Sequence, residues 1–144
     1  GALGYVLNVG GNIRIVGTKP DGSGWVTGVK DPANTEKFAV KLMLADTSCV
    51  TSGSYERYYT VDGVRYHHLL DPKTGWSVQN GLASVTIVSS LSVDGDALST
   101  ACFVLGEEKA MDLIESLPGI EALFIRDSGA LSATSGLHYT LPAA

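Results

Sequence analysis

Residues 82–106 read LASVTIVSSLSVDGDALSTACFVLG, and the change of period inside this stretch decides the fold class. Its opening, Leu82–Ser89, is short and rich in Val and Ile, the pattern of a buried strand. From Asp94 onward the repeat becomes helical: Ala97, Leu98, Ala101, Cys102 and Leu105 fall on one face. Asp94 is placed to act as N-cap, and Gly106 to stop the helix. A second helix is predicted over residues 107–117, acidic in its first turn and closed by Pro118-Gly119, with Ala110, Met111, Ile114 and Leu117 on one side.

Outward from this pair the chain reads as strands and tight turns. Tyr5–Val9 and Asn12–Val16 are pinched at Gly10-Gly11, which can supply positive backbone dihedrals and so predicts a hairpin. Residues 25–30, 38–44 and 48–51 follow as strands, and 57–60 is joined to 64–69 across Val61-Asp62-Gly63. Asp71-Pro72-Lys73-Thr74-Gly75 breaks the last of these. Residues 120–126 and 130–141 close the chain as strands. The expected architecture is α+β, a mainly antiparallel sheet with two helices packed on it, as a single domain over residues 1–144.

Composition agrees with a folded domain: 44% hydrophobic and 17% charged residues over 144 positions exclude a disordered polar tail. A net charge of -5 argues against nucleic-acid and anionic-membrane surfaces and makes a cation the natural electrostatic partner. The apolar runs fall far short of the ~20 residues of a membrane helix. Cys49 and Cys102 are too few for a disulfide framework and read as buried thiols. The chain opens on Gly1 and enters strand-like sequence almost at once, so no signal peptide is read and a piece of a longer protein is expected.

Three places carry chemistry. Asp96 and Thr100 stand one helical turn apart, so a carboxylate and a hydroxyl share a face, a pair of hard oxygens suited to Mg2+. Equally, Asp96 can serve the helix dipole while Thr100 bonds back to a carbonyl. His67 and His68 alternate across their strand, so one imidazole faces the core side and one the other; Asp71 and Lys73 follow as a titratable cluster. Thr51-Ser52-Gly53-Ser54-Tyr55 is a hydroxyl-rich turn whose Gly admits close approach of a ligand. Gly10-Gly11-Asn12 lacks the third glycine of a dinucleotide fingerprint. Trp25 and Trp76 read as packing residues.

In order along the chain, Leu7-Asn8-Val9-Gly10-Gly11-Asn12-Ile13, Gly17-Thr18-Lys19-Pro20-Asp21-Gly22, Thr51-Ser52-Gly53-Ser54-Tyr55-Glu56-Arg57, His68-Leu69-Leu70-Asp71-Pro72-Lys73-Thr74-Gly75 and Asp96-Ala97-Leu98-Ser99-Thr100-Ala101 resemble the C-terminal half of the ApbE family. These are the FAD:protein FMN transferases formerly called thiamine biosynthesis lipoproteins. The resemblance implies a T-fold-related architecture and a Mg2+-dependent reaction that splits the FAD pyrophosphate, links FMN to a Thr or Ser of an acceptor protein and releases AMP. It implies Asp96 and Thr100 as metal ligands and His68 as the group that takes the acceptor hydroxyl's proton. Ser52, Gly53 and Tyr55 match the flavin-contacting segment, with His68 beside it and Gly10 and Gly11 on the nucleotide side. Gly95 departs from the Ala usual before the metal-binding aspartate, and Cys102 replaces a larger apolar residue.

Family members also have a substantial preceding half that holds much of the flavin pocket. The resemblance further implies an extracytoplasmic, lipid-anchored setting, and the acidic charge makes no nucleic-acid partner and no membrane contact from this segment itself the expectation. The alternatives are a protein that binds or hydrolyses FAD without transferring it, and an inactive folded fragment.

Overall fold

A computed structural model describes residues 2–142. Twelve elements are described: β1 (Tyr5–Val9), β2 (Asn12–Val16), β3 (Trp25–Asp31), β4 (Asn34–Leu44), β5 (Ser48–Gly53), β6 (Tyr58–Val61), β7 (Val64–His67), β8 (Leu82–Ser89), α1 (Ser92–Leu105), α2 (Glu107–Glu115), β9 (Glu121–Arg126) and β10 (Leu131–Ala133). Six strands form one sheet in the order β1-β2-β5-β8-β9-β10, with every neighbouring pair antiparallel. The β1–β2 turn falls at Gly10 and Gly11, both at positive φ, as the dipeptide predicts.

The sheet is covered on both faces, which explains why β8 is buried along nearly its whole length, Ser84, Thr86 and Ser89 included, instead of alternating between buried and exposed. On one face, Val85, Ile87 and Phe124 pack against Cys102, Phe103 and Ile114 of the two helices. On the other, Cys49, Leu123 and Ile125 pack against Val29, Val40 and Leu42 of the β3–β4 hairpin. Helices on a sheet describe one face only. The hairpin, a separate two-stranded sheet turned at Pro32-Ala33, makes the molecule three-layered. Both cysteines are free and buried.

Several expected boundaries move for local reasons. Helix α1 begins two residues before Asp94, with Leu91 as an N-cap lacking any side-chain bond, so Asp94 lies in the first turn and caps nothing. Helix α2 ends at Glu115, two residues short of Leu117. The strand expected over residues 130–141 shrinks to β10 because Thr134 bonds the backbone of Ala122 and Ser135 is held by Glu115; only Thr140 pairs again, with Lys41. The strand expected over residues 64–69 stops at His67. Trp76 is 66% exposed and tilts against Tyr66 at 6.3 Å, so it is a surface residue and not a packing one.

His67 is buried, and its ring is satisfied only when neutral. Nε2–H donates to the Val78 carbonyl at 2.9 Å, Nδ1 accepts from the Leu69 N–H at 3.3 Å, and the ring edge meets Phe103. Burial pulls its pKa below the ordinary 6.5, assisted by the nearby charges of His68 and Arg65 and opposed by the Val78 bond and Asp127. A histidine depressed in the fold binds its proton more readily when unfolded, so its stability contribution is present above the unfolded pKa and is lost as pH falls below it. Thermal melting is therefore expected to fall between about pH 7 and about pH 5, and His67→Gln to flatten that part of the profile. An unaltered slope in the variant would remove His67 from the account.

Candidate active site

Four of the five separated segments singled out in the sequence meet in one cleft; residues 17–22 do not line it. Its volume is 1510 Å³, larger than the roughly 300–1,000 Å³ of most small-molecule pockets. Gly10 and Gly11 reach it from the β1–β2 turn, Ser52 and Gly53 from β5, Tyr55 from the loop that follows, His68 from the residue after β7, and Asp96 and Thr100 from α1. Asp71 and Lys73 do not line it. The Asp71 carboxylate instead accepts the Lys73 N–H at 2.8 Å and holds the turn, so the titratable cluster expected there is a structural one.

Register explains why the cleft lies here. Strand β8 pairs with β5 as far as Gly53, whereas β2 pairs with it only as far as Val50, where the chain turns away through Gly11 and Gly10. Residues 51–53 thus have a bare edge facing the cavity. Gly53 is small for a reason: a Cβ there would stand 2.6 Å from the Tyr55 ring, which lies over it. Burial, then Glu56 and Asp31, push the Tyr55 phenol up to about 12, so it stays protonated at neutral pH.

A second glycine sets the height of α1. A Cβ on Gly95 would lie 2.8 Å from Val50 Cγ2 and 3.2 Å from Ser89 Oγ, so its absence lets the first turn settle onto β5. Ser52 Oγ is then 2.9 Å from Ser99 Oγ and 3.1 Å from Thr100 Oγ1. The two simple roles open to Asp96 and Thr100 in the sequence are filled by neighbours. Asp94 occupies the first turn, and Ser99 makes the back-bond, to the Asp96 carbonyl at 3.1 Å. The Asp96 carboxylate is exposed, with no hydrogen bond or ion pair among the described residues. An uncommitted carboxylate and a hydroxyl one turn apart on the cleft wall fit a hard divalent cation. Three or more His, Cys, Asp or Glu side chains grouped for a metal are not found among the described residues, so further ligands would be backbone, water or substrate oxygens.

Of the two histidines, the one facing away from the core is the cleft residue. The Arg57 carbonyl takes both the backbone N–H of His68, at 3.1 Å, and its Nδ1, at 3.3 Å. A carbonyl only accepts, so Nδ1 carries the proton and Nε2 keeps its lone pair. Asn12, named with the glycine turn, also lines the cleft and accepts from Ser92 at 2.6 Å; sequence reasoning missed Arg14, which reaches the Ser90 carbonyl at 2.6 Å, and Phe38, whose ring lies across Gly28. Lys30 and Glu56 pair at 3.5 Å on the rim, half exposed. The β2 residues were legible as the polar face of an alternating strand; Phe38 depended on the hairpin's register.

Asp96, Thr100, His68 and the Gly10-Gly11 turn thus line one cleft in a three-layered α+β domain. Residues 1–124 match the ApbE family, to which this chain belongs. It is similar to the FAD:protein FMN transferase of Treponema pallidum (strain Nichols), 42% identical over 141 residues, covering 92% of this chain and 39% of that protein. The protein of the same name from Haemophilus influenzae is 36% identical over 137 residues, covering 93% and 40%. Among solved structures, the ApbE protein of Thermotoga maritima superposes with a TM-score of 0.82 at 39% identity, and the flavin transferase ApbE of Vibrio cholerae with 0.77 at 33%; each alignment covers 92% of this chain and 43% of the other. The chain spans about two fifths of the length of the curated relatives it matches.

Proposed function

We propose that this chain supplies the cation-holding and acceptor-activating groups of an FAD:protein FMN transferase. The observation that carries the reading is the convergence of Asp96, Thr100, His68 and the Gly10-Gly11 turn on one cleft. In the proposed reaction, the hydroxyl oxygen of a Ser or Thr on the acceptor protein attacks the FMN phosphorus of FAD. The bond from that phosphorus to the bridging oxygen breaks, and AMP leaves. His68 Nε2 accepts the hydroxyl proton, its ring held by the Arg57 carbonyl. Asp96 and Thr100 would hold Mg2+, which when bound supplies positive charge to the pyrophosphate oxygens. Ser52, Gly53 and Tyr55 border the space for the flavin, where the bare edge of β5 offers backbone donors and acceptors. The names of the relatives support FAD and a protein acceptor as partners. An extracytoplasmic, lipid-anchored setting belongs to the same proposal. No helix among the described residues is long and apolar enough to cross a membrane.

The direct test is a fluorescence titration with FAD in Mg2+ and again with a chelator, followed by assays of AMP release and of labelled acceptor. Saturable binding that weakens on chelation, with FMN appearing on the acceptor, is the expected result. AMP release with no labelled acceptor would replace transfer by hydrolysis. Binding indifferent to chelation would remove the cation from the site.

A further inference from the structure

Behind the cation-holding pair, three hydroxyls form a chain whose proton order is determined by its last member. Ser99 Oγ donates to the Asp96 carbonyl at 3.1 Å, and a carbonyl oxygen cannot donate in return, so the one proton of Ser99 is committed there. At the 2.9 Å contact between Ser52 Oγ and Ser99 Oγ, Ser52 must then be the donor. With that proton used, the 3.1 Å contact between Thr100 Oγ1 and Ser52 Oγ leaves Thr100 as donor. Ser99 is fully buried at the inner end of the chain, while Thr100 stands exposed at its outer end. The Thr100 proton therefore points back to β5, and its lone pairs are left for the cleft, one helical turn from the Asp96 carboxylate.

We propose that Ser52 is a positioning residue for the divalent cation: as the middle link of this relay it fixes the Thr100 hydroxyl in the orientation that presents lone pairs to a metal. The inference rests on the reading of Asp96 and Thr100 as the cation-holding pair. It stands beside the role implied by resemblance, in which Ser52 contacts flavin: the hydroxyl is turned toward α1 and engaged there, while the residue's backbone lies on the bare edge of β5. A hydroxyl already oriented needs no rearrangement when a cation arrives. One free to rotate can direct its proton at the site instead. Outer-shell groups of this kind are conserved in effect across metal sites because they hold the ligand atom, not the metal.

Mn2+ titration of the whole protein followed by electron paramagnetic resonance, with no acceptor and no turnover, tests the relay. Ser52→Ala is expected to weaken Mn2+ binding about 10- to 100-fold, and Ser52→Thr, which keeps the hydroxyl, to stay within about threefold of the parent. Ser99→Ala should give an intermediate loss, because it removes the acceptor that orients Ser52. Asp96→Asn serves as the reference. If Asp96→Asn weakens Mn2+ and Ser52→Ala does not, the relay is overturned and the cation pair stands. If Asp96→Asn leaves affinity unchanged, the cation reading falls and the relay with it. A loss in Ser52→Ala matched by a lowered melting temperature and not restored in Ser52→Thr would mean a packing role, which also overturns the proposal.

Discussion

Asp96→Ala is expected to lower FMN transfer by roughly 10²- to 10⁴-fold, the range that several kcal/mol of lost charge stabilisation at a phosphoryl centre produces. The same change should leave the fold intact. Asp96 is exposed on α1, beyond the first turn, and its carboxylate takes no hydrogen bond or ion pair among the described residues, so its removal is expected to alter stability by no more than about 0.5 kcal/mol. Activity and melting should therefore separate. A variant that keeps FMN transfer near the parent level would show that the carboxylate does not hold the cation. Thermal melting run beside the assay excludes a fold defect as the source of a loss.

The second large effect is expected at His68. Its imidazole is the group in the cleft with a lone pair directed by a fixed tautomer, and general-base contributions of this kind amount to about 10²- to 10⁴-fold. His68→Ala should reduce transfer to a protein acceptor by that factor while FAD binding and its response to Mg2+ persist, because neither Asp96 nor Thr100 depends on the imidazole. Added free imidazole should restore part of the lost rate. Full activity in the variant would mean that the acceptor proton leaves by another route, and loss of FAD affinity in place of rate would make His68 a binding residue.

Much of this site was legible along the chain because its parts are local. The Gly10-Gly11 hairpin, the one-turn spacing of Asp96 and Thr100, and the alternation that puts His67 and His68 on opposite sides each follow from the period of a single element, and the structure shows that His67 is the inward one. What escaped the sequence depends on contacts between elements. The β3–β4 hairpin covers the second face of the sheet, yet nothing in residues 25–44 says which face it packs on. The Ser52–Ser99–Thr100 contacts join residues nearly fifty positions apart and exist only at the register that sets β5 beneath α1. Helix α1 shows the opposite difficulty. Its start was placed by a capping residue type, whereas the chain enters the helix earlier, with Ser89 donating to the Leu91 carbonyl just ahead of it.

The close seating of α1 makes positions 50 and 95 a single gauge. Val50 can keep its branched side chain because residue 95 has none, and residue 95 can have none because Val50 fills the gap. A family member carrying Ala at the equivalent of Gly95 must shave the opposite strand, tilt the helix or accept a wider spacing. The first remedy keeps the distance from Ser52 to Thr100, and the other two change it. Grafting one helix between relatives without its matching strand residue is therefore expected to move the Thr100 hydroxyl relative to Ser52 while every side chain of the cleft keeps its identity.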